Sequence, residues 1–382
     1  MVFDTEAEMM ERRGHEVVRF IRHSDSLSAR GTLGIIQGAL STPWNPWSAA
    51  AIRREVARFK PDVVHVHNTF PLLSPAIFRS IGHSAASVLT LHNYRLFCPA
   101  AIPMRAGRVC TECLDRKSSW SALKHGCYRG SRLATAPLAL SVSLHRKIKT
   151  WDRHVNAFIV LTEFQKKVMT EAGLPADRVY VKPNFYPGNP EAHVWTNRGN
   201  YVVFAGRLTK EKGIDDLIRA WIMWGESAPE LRILGDGPLR KSLQQLASES
   251  TEAHITFLGQ LSSADAERQI ADSRLLVLPS ICFETFGMVI LEAFSYGTPA
   301  AVSDAGPLPT IVRDGVSGII FEAANAASLF QKVHSAWNSP GLLERLGEGA
   351  RSEFAAFYTA EANYERLMEI YSAALTRRAA CS

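Results

Sequence analysis

Glu284 and Glu292 are the side chains best placed for chemistry in this sequence, in the run Glu284-Thr285-Phe286-Gly287-Met288-Val289-Ile290-Leu291-Glu292. The apolar stretch Leu275–Pro279 before them reads as a strand, and a helix is expected to begin near Phe286-Gly287. Glu284 then lies in the loop at the strand's C-terminal end, and Glu292 lies inside the helix. At about 1.5 Å rise per residue the two stand roughly 10–12 Å apart, about the length of a sugar diphosphate plus ribose. Free N–H groups at the helix N-terminus between them would cradle a diphosphate. One carboxylate could hold ribose hydroxyls while the other faces the sugar. The same run also fits an amphipathic helix with one solvated glutamate.

Upstream residues supply the charges such a ligand needs. Gly206-Arg207-Leu208-Thr209-Lys210-Glu211-Lys212-Gly213 follows the apolar strand Tyr201–Ala205 and opens a helix. Gly206 lets the backbone approach a ligand closely, and Arg207 and Lys212 can neutralise a diphosphate. Alone, either charge is equally a solvated loop residue. After the next strand, Leu231–Leu234, comes a second tight turn, Gly235-Asp236-Gly237-Pro238. All three features stand at the C-terminal ends of strands, the edge where open α/β sheets bind ligands.

Residues from about 200 to 320 resemble the C-terminal domain of retaining GT-B glycosyltransferases of family 4, bacterial surface-polysaccharide type. The resemblance rests on the Gly206-Arg207-Leu208…Glu211-Lys212-Gly213 loop, Gly235-Asp236-Gly237-Pro238, Phe257-Leu258-Gly259-Gln260-Leu261 and the paired glutamates. It implies an α/β GT-B fold: two Rossmann-like doubly wound domains facing each other across a cleft. It further implies that Arg207 and Lys212 grip the donor diphosphate, with the helix N-terminus after Phe286 and Gly287. Glu284 would lie beside the transferred sugar, Glu292 would bind the ribose and Leu261 would line the base pocket. Thr285 stands where the family often has proline. The implied reaction moves a hexose from a nucleotide-diphosphate donor to a glycan or lipid-linked saccharide acceptor, with retention at the anomeric carbon. No Asp-x-Asp metal motif is apparent in this half, so no metal or other cofactor is expected in catalysis and protein cations meet the charge.

The first half offers fewer signals. His92-Asn93-Tyr94 follows the strand Val88–Leu91, at the expected cleft edge. In the resembled family a histidine here often contacts the transferred sugar. His92 could donate to a hydroxyl when neutral or face the departing phosphate as a cation; otherwise it is a loop residue packed on Tyr94. Asn68 and Thr69, just after His65-Val66-His67, are candidates for acceptor-side contacts or for a satisfied loop network. Cys98, Cys110, Cys113 and Cys127 cluster, and Cys110-Thr111-Glu112-Cys113 has metal-ligand spacing. Four thiolates would make a closed, structural zinc site; unliganded cysteines fit as well.

A chain of 382 residues with 46% apolar content suits two globular α/β domains. Residues 1–185 form the expected acceptor-side domain, with a Cys-rich basic insertion at 98–153, and residues 186–359 the donor-binding one. A final helix within 360–382, apolar over Ala360–Ala374, would cross back to the first domain. Residues 1–185 carry 26 basic and 14 acidic side chains, against 17 and 23 in the remainder. Basic residues interleaved with apolar ones between Arg105 and Arg153 suit an anionic membrane surface or a lipid-diphosphate acceptor, or simply a solvated face. No nucleic-acid-binding module is recognisable. No apolar run reaches 18 residues, and Met1–Glu6 lacks the h-region of a signal peptide. A cytoplasmic location follows, with the protein peripheral at the inner face of the membrane.

The chain is expected to open on a helix, about Phe3 to Arg13, before its first strand, Val17–Phe20, whereas a doubly wound domain normally opens on its central strand. That first strand is therefore expected to be missing, encoded upstream of Met1. Two rival functions stay open: a nucleotide-sugar 2-epimerase of the same fold, and a catalytically silent nucleotide-binding scaffold.

Overall fold

In a computed structural model, which describes residues 2–22 and 31–381, the chain builds two units. One comprises Met1–Arg105, Cys110–Lys182 and Tyr364–Ser382, the other Ala106–Val109 and Pro183–Asn363. The change between them falls at Lys182–Pro183, where the turn-forming run 182–190 begins.

Four short aliphatic runs make the first unit's sheet: β1 (Val63–Val66), β2 (Ala86–Thr90), β3 (Ala157–Val160) and β4 (Val179–Val181). They pair in parallel in the order β1-β2-β3-β4. Every residue of β2 and β3 is buried, so these strands read as unbroken apolar runs instead of alternating ones. The helix Val2–Arg12 buries Glu6, Met9 and Met10. The closing helix Ala360–Cys381 runs past the expected Ala374 and buries Leu367, Ile370 and Ala374 along one face.

Val17–Phe20 is not a strand, contrary to its apolar pattern. Residues 15–22 carry no strand pairing, and Val18 and Ile21 are exposed. A strand exists only where a neighbour takes its backbone groups; among the described residues β1, at the end of the sheet, pairs with β2 alone.

The second unit has six parallel strands: β5 (Tyr201–Ala205), β6 (Glu230–Leu234), β7 (Ile255–Gly259), β8 (Leu275–Leu278), β9 (Ala300–Ser303) and β10 (Gly318–Phe321). Their order is β10-β9-β8-β5-β6-β7. The winding starts at β5, proceeds to one edge through β6 and β7, then returns to β8 on the other side. This is the doubly wound order, and its switch point lies between β5 and β8, where a crevice forms outside the strand ends. The helix Ile214–Trp224 packs Ile214, Leu217, Ile218 and Trp221 into this core. Each such burial is worth about 1.5–3 kcal/mol.

Candidate functional site

The loops leaving β5, β6 and β8 meet at the switch point of the second unit. Gly206 N–H donates to Leu234 O at 3.0 Å, Leu208 N–H to Asp236 O at 2.9 Å, and Ile281 N–H to Glu211 O at 2.9 Å. Backbone bonds thus tie the three loops into one surface. Gly235 is what permits the approach: its φ is +119°, and a Cβ there would stand 1.9 Å from Gly206 O. Gly287 does a second such job, capping the helix Met288–Ser295 in the left-handed region at φ 84°. The helix therefore starts just past Phe286-Gly287, leaving its first N–H groups beside the β8 loop.

The charged residues fall on this surface in three different states. Lys212 Nζ donates to Glu284 Oε1 at 2.5 Å, and Ser280 Oγ donates to the same oxygen at 2.6 Å. Arg207 is exposed and makes no ion pair among the described residues. Glu292 is half-buried in the helix; burial pushes its carboxyl up to about 7, and the charge of Glu267 adds to the rise. A carboxylate kept dry and unneutralised is suited to accepting hydroxyl hydrogen bonds. Leu261 is half-buried two residues beyond the end of β7. The ring of Phe286 is buried edge-on against Tyr358, centroids 6.1 Å apart, so its side chain belongs to the core. Any contact it makes with a donor falls to its backbone.

In the first unit, His67, Asn68, Thr69, His92 and Arg95 line a pocket at the C-terminal ends of β1 and β2. His92 is not packed on Tyr94, which is fully buried; it stacks on His67 with ring centroids 5.2 Å apart. Asn68 is exposed, and its Oδ1 accepts from Phe70 N–H at 3.0 Å, which shapes the loop after β1. Behind the pocket lies a polar cluster. Lys182 Nζ donates to Glu6 Oε1, Glu6 Oε2 stands 3.3 Å from His67 Nε2, and His67 Nδ1 lies 3.0 Å from His92 Nε2. His65 bonds Tyr371 OH at 2.9 Å and Thr90 Oγ1 at 2.7 Å. Burial drives His65 down to about 3 and His67 well below its ordinary value. Burial pushes Glu6 up, but Lys182 foremost and then His67 outweigh it, so its carboxyl ends below the usual range.

Among the described residues, Glu6, His65 and His67 are the grouping of three metal-ligand side chains whose donor atoms lie within 4.8 Å of one another. The chemistry disfavours a cation: both nitrogens of His65 are already bonded, and the Lys182 ammonium sits on Glu6. Cys98, Cys110, Cys113 and Cys127 do not converge to that degree. Cys98 Sγ turns to Ile102 O at 3.8 Å, and burial holds its thiol up at about 12, with the neighbouring cysteines adding. The four share one electrostatic neighbourhood without the close sulfur packing of a tetrahedral zinc site.

Glu6, Lys182 and Tyr371 were not legible as site residues. The only local signal was His65-Val66-His67, whose period of two puts both imidazoles on one face of β1.

Residues 2–187 match the family described as Glycosyltransferase Family 4, and residues 187–353 that described as Glycosyl transferases group 1. The two matches together run over residues 2–353, and with the fold they define the GT-B class. Within that class the chain belongs to the family 4 type. It is 25% identical to the sulfoquinovosyl transferase SQD2 of Arabidopsis thaliana over 84% of this chain and 58% of that protein. Identity to the alpha-D-kanosaminyltransferase of Streptomyces kanamyceticus is 28%, over 63% of this chain and 67% of that one. The match thus spans little more than half of the first relative's length. Among solved structures, Anabaena Alr3699/HepE in complex with UDP superposes with a TM-score of 0.65 at 17% identity, covering 85% of this chain and 81% of that one. Sucrose-phosphate synthase from Thermosynechococcus elongatus gives 0.62 at 17% identity, over 86% and 77%.

Proposed function

We propose that the protein transfers a hexose, with retention, from a nucleotide-diphosphate sugar to a glycan or lipid-linked saccharide. The second unit holds the donor and the first supplies the acceptor side. The observation that carries this reading is the placement of the Gly206–Gly213 loop and the Glu284–Glu292 segment on the two strands, β5 and β8, that flank the switch point. Arg207, Lys212 and the N–H groups at Met288 would meet the diphosphate charge, so that protein groups do the work of a metal. Lys212 reaches a donor phosphate by sharing its ammonium between Glu284 and the ligand, which keeps Glu284 oriented beside the sugar. Glu292 would accept the two ribose hydroxyls. The structure that binds UDP and the sugar-transferring relatives support a nucleotide-sugar donor.

A lipid-linked acceptor is supported by the first unit's surface. The helices Gly31–Ser41, Trp120–His125 and Arg132–Lys147 pack together and leave Ile36, Leu40, Trp120, Leu133 and Leu140 exposed amid the basic residues. No helix among the described residues is long and apolar enough to cross a membrane. On the strength of that basic and apolar surface, the reading sets the protein against an anionic inner leaflet.

A panel of nucleotide sugars tested by thermal shift identifies the donor, since a ligand of the native state raises the melting point. Incubation of that donor with lipid-linked saccharides, followed by assignment of the product's anomeric configuration, then tests transfer and retention. Release of an epimerised free sugar nucleotide without acceptor would overturn the transferase reading. A protein that shifts with no nucleotide sugar would overturn the donor site itself.

A further inference from the structure

Two donors share one oxygen of Glu284, and they differ in what else they can do. Lys212 Nζ and Ser280 Oγ both donate to Oε1, at 2.5 and 2.6 Å. The ammonium has three protons on a flexible four-carbon stem, and its side chain is 20% exposed. It can give one proton to Glu284 and turn another to a ligand. Ser280 has a single hydroxyl proton and is fully buried. That hydroxyl makes no other hydrogen bond among the described residues.

The neighbouring strand holds this serine in place. Ser280 follows β8 by two residues, and Ser303, the last residue of β9, donates its Oγ to Ser280 O. Gly213 explains why Lys212 arrives at the same spot: its φ is +63°, and a Cβ there would stand 2.1 Å from Pro279 O. The backbone beside Lys212 therefore lies against the backbone beside Ser280. A buried hydroxyl that released Glu284 would have neither water nor another acceptor, so it does not let go when a ligand comes.

We propose that Ser280 is the positioning residue that keeps Glu284 in place once a donor diphosphate competes for the Lys212 ammonium. Without donor the two restraints are redundant. With donor bound, the shared ammonium loosens its hold and the hydroxyl carries the carboxylate. Naming the competitor as a donor diphosphate rests on the transferase reading above, whereas the double restraint on Glu284 does not.

The test reads the mobility of Glu284 by carbon relaxation in 13C-glutamate-labelled protein, with the signal assigned through Glu284→Gln. The probe is UDP, or whichever of ADP, CDP, GDP and dTDP raises the melting point in its place. The wild-type side chain should be ordered with and without the probe. In Ser280→Ala it should be ordered alone and mobile with the diphosphate bound. In Lys212→Met it should be ordered without ligand, because Ser280 suffices. With the full nucleotide sugar, Ser280→Ala should lower kcat ten- to hundredfold while donor KM stays within about twofold. A loss of packing alone would not make the mobility of Glu284 depend on the ligand.

A Glu284 that stays ordered in diphosphate-bound Ser280→Ala overturns the proposal, and so does one already mobile in that variant without ligand. Wild-type turnover in Ser280→Ala overturns it as well. If Ser280→Ala does not fold, Lys212→Met decides: a mobile Glu284 there overturns the proposal, and an ordered one sustains it. A wild type that transfers from no donor sinks the transferase reading instead and leaves the NMR result standing.

Discussion

The two units prepare for a ligand by opposite means. At the second unit's switch point, backbone sets the shape: Gly235 lies where a Cβ would strike Gly206 O at 1.9 Å, and Gly287 opens the helix Met288–Ser295. The charged side chains there keep some freedom, with Arg207 exposed and Glu292 held without neutralisation. In the first unit the order is inverted. Side chains form the rigid object: Lys182 neutralises Glu6 behind the pocket, and His67 bonds and stacks on His92 at its wall. A site made for a strongly charged ligand can leave its own charges unsatisfied until the ligand arrives. A site made for hydroxyls must settle its charges beforehand, because a hydroxyl cannot neutralise them.

Breaking the backbone-built region should have the largest effect. Gly235→Ala forces a side chain into a carbonyl at a φ few residues adopt, and should cost about 2–4 kcal/mol while abolishing donor binding. Chemical denaturation with a nucleotide-sugar titration checks both; full stability would mean that the loops are not in contact as described. Next comes Glu292. Glu292→Gln should weaken donor binding roughly ten- to hundredfold, as expected for a buried charged hydrogen bond. Because its folded pKa is about 7, above the ordinary 4.5, Glu292 also couples stability to pH. The folded chain keeps this proton where the unfolded chain has lost it, so stability falls as pH rises from about 4.5 to about 7. The Gln variant should lose that slope by an amount on the order of 1–3 kcal/mol, and wild-type donor affinity should strengthen as pH rises through about 7. A flat pH dependence of both quantities would count against a raised carboxyl.

A smaller effect separates Lys212 from Glu284. Glu284→Gln and Lys212→Met should each lower turnover, and their combination should cost less than the sum by about 0.5–3 kcal/mol, because each leaves the other's charge behind. Strict additivity in the double-mutant cycle would show the two acting apart. The smallest expected effect concerns the four clustered cysteines. To bind zinc they must draw together and release thiol protons. Zinc addition should then acidify an unbuffered sample and protect four thiols from reagent; unchanged titration disposes of the structural zinc.

Legibility in the sequence tracked distance along the chain. The Gly206–Gly213 loop, the Gly235–Pro238 turn and the Glu284–Glu292 segment each lie within nine residues, so strand, turn and helix signals frame them locally. The alternation of strands with helices was legible in the same local way and implied parallel sheets, whereas the order of the strands came only with the structure. The polar cluster joins Glu6 to Lys182 across a separation of 176 residues, and nothing in the neighbourhood of either announces the other. Buried Glu6 sits on the helix Val2–Arg12, where a glutamate normally signals solvent. Val17–Phe20 failed for a related reason: its pattern describes a strand, but pairing is decided by a neighbour that a local window does not contain.

The closing helix carries a consequence for how the protein is made. Tyr371, Leu367 and Ile370 complete the first unit, yet they follow the whole of the second unit in the chain. At about 5–20 residues per second, a ribosome spends roughly 10–35 s on the intervening residues 183–363. The earlier-synthesised unit must wait that long for its last helix. During translation the order of completion is therefore the reverse of the order of appearance, and His65 meets its tyrosine only after the second unit's sheet has had time to close.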